Sequence, residues 1–92
     1  MVRISKIIDI NSFQITGQFN DGQIKRLGVY PRIKNHLHLN GVSSLLDETI
    51  FKNAKLGDFG EIYWPQIVVS KDATIMDYDI SPEFFYNNGV VV

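Results

Sequence analysis

The chain has 92 residues, 45% of them hydrophobic and 21% charged, with no cysteine and a net charge of −1. That length supports one small core and a shallow site, and the composition excludes a disordered tail, a disulfide framework, a thiolate zinc site and a cysteine nucleophile. No apolar run approaches the roughly 20 residues of a membrane span, and the N-terminus lacks a signal-peptide pattern, so the expectation is a single cytoplasmic domain over residues 1–92.

Val2, Ile4, Ile8 and Ile10 share one parity, broken only by Lys6, which predicts a half-buried strand. Asn11-Ser12 predicts a turn. Phe13, Ile15 and Phe19 then alternate, with Gly17 on the same face as a place for a bulge or a close backbone approach. Asn20-Asp21-Gly22 predicts a hairpin. A two-residue loop pairs Phe19 with Ile24 and sends Leu27 and Val29 to the face opposite Phe13 and Ile15. A three-residue loop with Gly22 left-handed pairs Phe19 with Gln23 instead, so that Ile15 faces Leu27 and Phe13 faces Val29. The second register aligns two apolar pairs and is the expected one.

Tyr30-Pro31 ends the third strand and opens a short helix with Ile33 and Leu37 on one face, stopped at Asn40-Gly41. Ser43 to Asn53 reads as broken helix, with Asp47 capping Thr49 to Phe51. Lys55-Leu56, the turn Gly57 to Gly60 and Glu61 to Trp64 predict a second hairpin, closed by Pro65. Gln66 to Val69 and Ala73 to Met76 are extended segments around Ser70-Lys71-Asp72. Ser81-Pro82-Glu83 opens a last helix with a cap, a first-turn proline and an acid at the positive end. Ile80 and Phe85 form its hydrophobic staple, and Gly89 ends it. The fold class is α+β: a small antiparallel β-sheet, a β-meander plus a second hairpin, with short helices packed on one side.

The net charge conceals an asymmetry. Residues 1–40 carry six basic side chains against two acids, and residues 41–92 carry three against eight. Opposed charge of this kind steers anionic partners to one end or favours head-to-tail docking if the halves stay apart in space. Lys25, Arg26, Arg32 and Lys34, with Tyr30 and Trp64 as stacking rings, are the candidate residues for binding a partner or a nucleic acid. A pI near 6.0 argues against a dedicated nucleic-acid binder.

His36 and His38 share a face only on a strand, whereas this segment reads as helix or loop. Asp77 and Asp79 share a face across Tyr78, but no calcium-loop pattern surrounds them. No nucleophile elbow or Gly-rich phosphate loop occurs. The expectation is therefore no catalytic residue, no metal and no cofactor.

Four ordered segments carry a family resemblance: Phe19-Asn20-Asp21-Gly22, Leu46-Asp47-Glu48-Thr49-Ile50-Phe51, Gly60-Glu61-Ile62-Tyr63-Trp64 and Ser81-Pro82-Glu83-Phe84-Phe85-Tyr86. With the β-meander that precedes and includes the first of them, they resemble the bacterial domain-of-unknown-function family 2442, over roughly residues 2–88. The stretch between Pro65 and Ser81 is longer than in many members. The resemblance implies an α+β fold and no established activity. Members often look like one half of a two-gene unit, and some carry an appended DNA-binding domain, which this sequence, ending at Val92, is not expected to include. It implies an antitoxin-like or partner-binding role.

The expected function is thus a non-enzymatic protein-interaction module that meets the product of an adjacent gene, or its own copy, at an open sheet edge. The run Val90-Val91-Val92 is itself suited to join such an edge. Nucleic-acid binding through the basic N-terminal half is the alternative, and a small metal-dependent enzyme at Asp77, Asp79 and the histidines is a third reading.

Overall fold

Three strands follow one another as a meander: β1 (Ile4–Asn11), β2 (Gln14–Phe19) and β3 (Ile24–Gly28), in a computed structural model that describes residues Met1–Val92. Gly22 takes the left-handed conformation, φ +88°. The Phe19 N–H donates to the Gln23 carbonyl at 2.8 Å, which closes the three-residue loop. Ile15 accordingly faces Leu27, and the Val29 N–H reaches the Phe13 carbonyl at 2.9 Å. Burial of Ile15, Phe19, Leu27 and Val29 on one face selects this register over its one-residue slip.

The expected parity of β1 does not hold. Its register against β2 shifts between Ile4 and Lys6 and again between Ile7 and Asp9. Each irregularity moves the strand's phase by one residue, so Ile4 is buried, Ile7 and Ile10 are half-buried, and Ile8 is exposed. The turn into β2 is made by Ser12 and Phe13, both at positive φ, the backbone twist that suits a two-residue hairpin. Gly17 is buried where the Ile4 side chain and the Phe85 ring both come close.

Helix α1 (Tyr30–Asn35) buries Ile33 only. Leu37 does not share its inner face as expected. The chain leaves helical geometry at His36, the i, i+4 relation is lost, and Leu37 is exposed. A short 3-10 turn over Val42–Leu46 buries Val42 and Leu45 and leads into α2 (Glu48–Phe51), whose Thr49 N–H donates to the Asp47 carboxylate at 2.8 Å.

The second hairpin builds a sheet of its own from β4 (Lys55–Leu56), β5 (Ile62–Val69) and β6 (Ile75–Ile80), in the order β4-β5-β6. Pro65 does not close β5, contrary to expectation. The strand continues past it through an irregularity between Trp64 and Val68, with Gln66 at φ +57°. A proline is tolerated there because a bulge has no use for its missing ladder donor.

Ser81 caps α3 (Pro82–Asn88) by accepting from the Phe84 N–H at 3.1 Å, and Ile80 and Phe85 are both fully buried. After Gly89 the chain turns back as β7 (Val90–Val91) and pairs with β3, opposing Val91 to Lys25 and Val90 to Arg26. The first sheet therefore reads β1-β2-β3-β7.

One cluster of buried side chains runs beneath both sheets, and its aromatic members touch in series. Phe13 lies 5.2 Å from Phe51, Phe51 5.3 Å from Trp64, and Trp64 5.8 Å from Tyr78, as ring centroids. Each fully buried large side chain contributes roughly 2–3 kcal/mol, which is why the short helices and two-residue strands hold. The two sheets join where the Ile4 N–H donates to the Gly60 carbonyl at 3.1 Å. This is a small α+β fold, and no helix in it is long and apolar enough to cross a membrane.

Candidate functional site

The six residues predicted to bind a partner do not form one surface. Trp64 is withdrawn from any stacking role: it is 0% exposed, and its indole N–H donates to the Phe51 carbonyl at 2.8 Å. A ring that anchors the core cannot also stack on a ligand. Lys25 is half-buried, donates from Nζ to the Tyr86 carbonyl at 2.7 Å, and lies 3.7 Å from the centre of the Tyr86 ring. Arg26, its strand neighbour on the opposite face, donates from Nε to the Thr16 hydroxyl at 3.3 Å. Tyr30, Arg32 and Lys34 are carried by α1. Tyr30 meets Phe13 edge-on at 5.8 Å, Arg32 lies over the Phe84 ring at 4.3 Å, and Lys34 is exposed.

The acids and the histidines also fail to converge. Along β6, Tyr78 and Ile80 are buried while Asp77 and Asp79 are exposed, so the carboxylates occupy the outer face. His36 lies on the inner side, its Nδ1 sharing a 2.7 Å hydrogen bond with the Tyr78 hydroxyl. Burial, reinforced by the charge of Arg32 and by His38, holds the His36 imidazole below its ordinary pKa, and burial pushes the Tyr78 hydroxyl up. No set of three His, Asp or Glu side chains is placed to hold a metal ion.

The outer face of the second sheet gathers carboxylates instead. Asp58, Glu61, Asp77 and Asp79 line one open depression beside Tyr63 and Phe59. Phe59 is 74% exposed at its rim. Glu61 folds back to accept from the Phe59 N–H at 3.0 Å, and Asp77 accepts from the Gln66 N–H at 3.2 Å. The Asp58 backbone carbonyl accepts from Arg3. Most of this negative charge faces solvent.

Next to that face runs the free edge of β6. Its single strand neighbour is β5. In an antiparallel ladder alternate residues turn their N–H and C=O away from the partner. The phase is set at one end by the Asp79 carbonyl, which accepts from Arg32 at 3.4 Å, and at the other by the Val69 N–H, which points away from β6 to Asn40. Ile75, Asp77 and Asp79 therefore turn outward. Every other margin is blunted: β1 carries two register shifts, and β4 and β7 have two residues each. β6 alone offers six residues in unbroken register on its own side, with Ile75 57% and Met76 46% exposed at its start.

Local patterning divides this strand into a short segment, Ala73 to Met76, and a carboxylate pair, Asp77 and Asp79. Met76, Tyr78 and Ile80 alternate with Ile75, Asp77 and Asp79, and this period of two was the available signal.

The four ordered sequence segments meet in pairs. The Tyr86 hydroxyl donates to the Asp21 carboxylate at 2.7 Å, and Trp64 packs on and bonds to Phe51. No protein-family model matches the chain, and no curated protein or solved structure matches it.

Proposed function

We propose that this chain is a non-enzymatic protein-interaction module whose docking margin is β6, and that its partner presents an extended segment with basic side chains. The observation that carries the reading is the β6 edge, which has no second strand neighbour and only its Asp79 carbonyl taken up, by Arg32, lying against Asp58, Glu61, Asp77 and Asp79. An added strand satisfies the open backbone groups, and alternate basic side chains reach the carboxylates. The same acids disfavour a second copy: β6 against β6 would set Asp77 and Asp79 near their equivalents, a like-charge pairing that protects sheet edges from self-association. The resemblance to the bacterial family 2442 adds the finer proposal, an antitoxin-like component that meets the product of an adjacent gene.

Calorimetry with a short peptide alternating Lys and Thr, and with its Glu-for-Lys counterpart, tests this. The Lys peptide binds, the Glu peptide does not, and the double variant Asp77→Asn/Asp79→Asn weakens the Lys peptide. Equal binding of both peptides, or of neither, overturns the reading.

A further inference from the structure

Arg32 is held by aromatic rings more than by acceptors. Its guanidinium carbon lies 4.3 Å from the centre of the Phe84 ring and 5.9 Å from that of Tyr78. Its one hydrogen bond is the 3.4 Å contact with the Asp79 carbonyl. Its Nε is the sole buried side-chain nitrogen or oxygen in the protein with no hydrogen-bond partner. A guanidinium has five donors, and one left this poorly satisfied beside a desolvated nitrogen costs free energy that an anionic acceptor returns. The guanidinium is planar by resonance, and its contact with the Phe84 ring holds it in place, so less freedom remains to be lost on binding.

The surroundings suit a negative group. Arg32 lines an open cleft of about 350 Å³ with Gly28, Asn35, His36 and Asn88, and no carboxylate lines it. The Val29 N–H bonds across to Phe13, so the Gly28 N–H and C=O turn away from β2. β7 covers that edge only as far as Arg26, opposite Val90. The Gly28 amide therefore faces the uncovered end of β3, beside the cleft. Asn88 spends one amide proton on the Phe84 carbonyl, at 2.9 Å, and keeps the other.

We propose that this cleft between the end of β3, α1 and the end of α3 is a binding site for a small oxyanion, a carboxylate or phosphate group, gripped by the Arg32 guanidinium. Gly28, Asn35 and Asn88 supply the neutral donors around it. A planar fork takes either group in a two-pronged contact, which a point charge does not reproduce. The site meets the β6 docking margin only where Arg32 reaches the Asp79 carbonyl, and its ligand is recognised by charge and shape and not by strand pairing.

Inorganic phosphate and acetate, titrated separately into isotope-labelled protein at constant ionic strength, are the probes. The expected result is saturable shifts of the Gly28 amide and of the Asn35 and Asn88 side-chain amides, with the amides of Ile75 and Met76, at the far end of β6 from Arg32, unmoved. Tighter phosphate binding assigns a phosphate ester, and equal or tighter acetate binding assigns a carboxylate; each supports the site. Arg32→Gln weakens binding by about tenfold or more, and Arg32→Lys restores it only in part. Should Arg32→Gln disturb folding, Asn35→Ala, at an exposed position, is expected to fold and to bind more weakly. The bound anion also offsets the field of Arg32 on His36, which is faced by Arg32, His38 and the Tyr78 hydroxyl, so the His36 titration moves to higher pH. Absence of saturable shifts with both probes, or shifts that Arg32→Gln and Asn35→Ala leave unchanged, overturns the proposal.

Discussion

The Tyr86 hydroxyl donates to the Asp21 carboxylate at 2.7 Å, joining the last helix to the first hairpin across 65 positions of sequence. Asp21 is held below its ordinary pKa of 3.8 first by the Gln23 backbone N–H and then by Tyr86, while that bond pushes Tyr86 up. A carboxyl depressed on folding contributes stability above its unfolded pKa and loses it as pH falls through the folded value. Tyr86→Phe is therefore expected to raise the Asp21 pKa toward 3.8 and to narrow the acid-side loss of stability. Carboxyl titration by NMR checks the shift, and an unmoved Asp21 contradicts it.

Trp64 and Phe51 form the corresponding tie inside the core. Trp64→Phe removes the indole donor and leaves a void, while the Phe51 carbonyl keeps its 3.3 Å bond from Ala54. The expected loss is about 2 kcal/mol, read from the urea midpoint. In the parent protein the emission of this single buried tryptophan is expected to be blue-shifted and insensitive to added oligonucleotide.

How much of this was legible follows from where the information lies. The hairpin register was readable because Gly22 fixes the loop and four apolar residues on two strands agree on a face. The α3 cap, proline and staple were readable because they are local. β1 was not, because two bulges shift its phase without any glycine or proline to announce them. The β6 margin depends on which strands lack neighbours, and the Arg32 cleft assembles β3, α1 and α3 from distant parts of the chain. Local patterning records neither.

Two glycines separate conformational from steric cost. Gly22 has φ +88° with open space around it, so Gly22→Ala pays only for the left-handed backbone, about 1 kcal/mol. Gly60, at φ +77°, has the Arg3 Cα and the Ile4 N each 2.9 Å from where a Cβ would sit, at the junction of the two sheets. Gly60→Ala is expected to cost roughly 3 kcal/mol. Equal midpoints for the two variants in denaturant titration would contradict this distinction.

The C-terminal run covers an edge of its own sheet, with the Val92 N–H bonded to the Ile24 carbonyl at 3.0 Å. Deleting Val90 to Val92 uncovers β3 from Ile24 to Arg26. The truncated chain is expected to self-associate more than the parent in sedimentation velocity, as an unprotected edge does. A truncated chain that sediments identically to the parent would show that this edge needs no cover.

Amide hydrogen exchange along β6, with and without the alternating Lys–Thr peptide, addresses the docking margin most directly. In the free protein the outward amides of Ile75, Asp77 and Asp79 exchange quickly while the inward amides of Met76, Tyr78 and Ile80 are protected. Added peptide slows the outward set and leaves the rest of the sheet as it was. If the outward amides are already protected in the free chain, or stay fast with the peptide bound, β6 is not where this protein meets its partner.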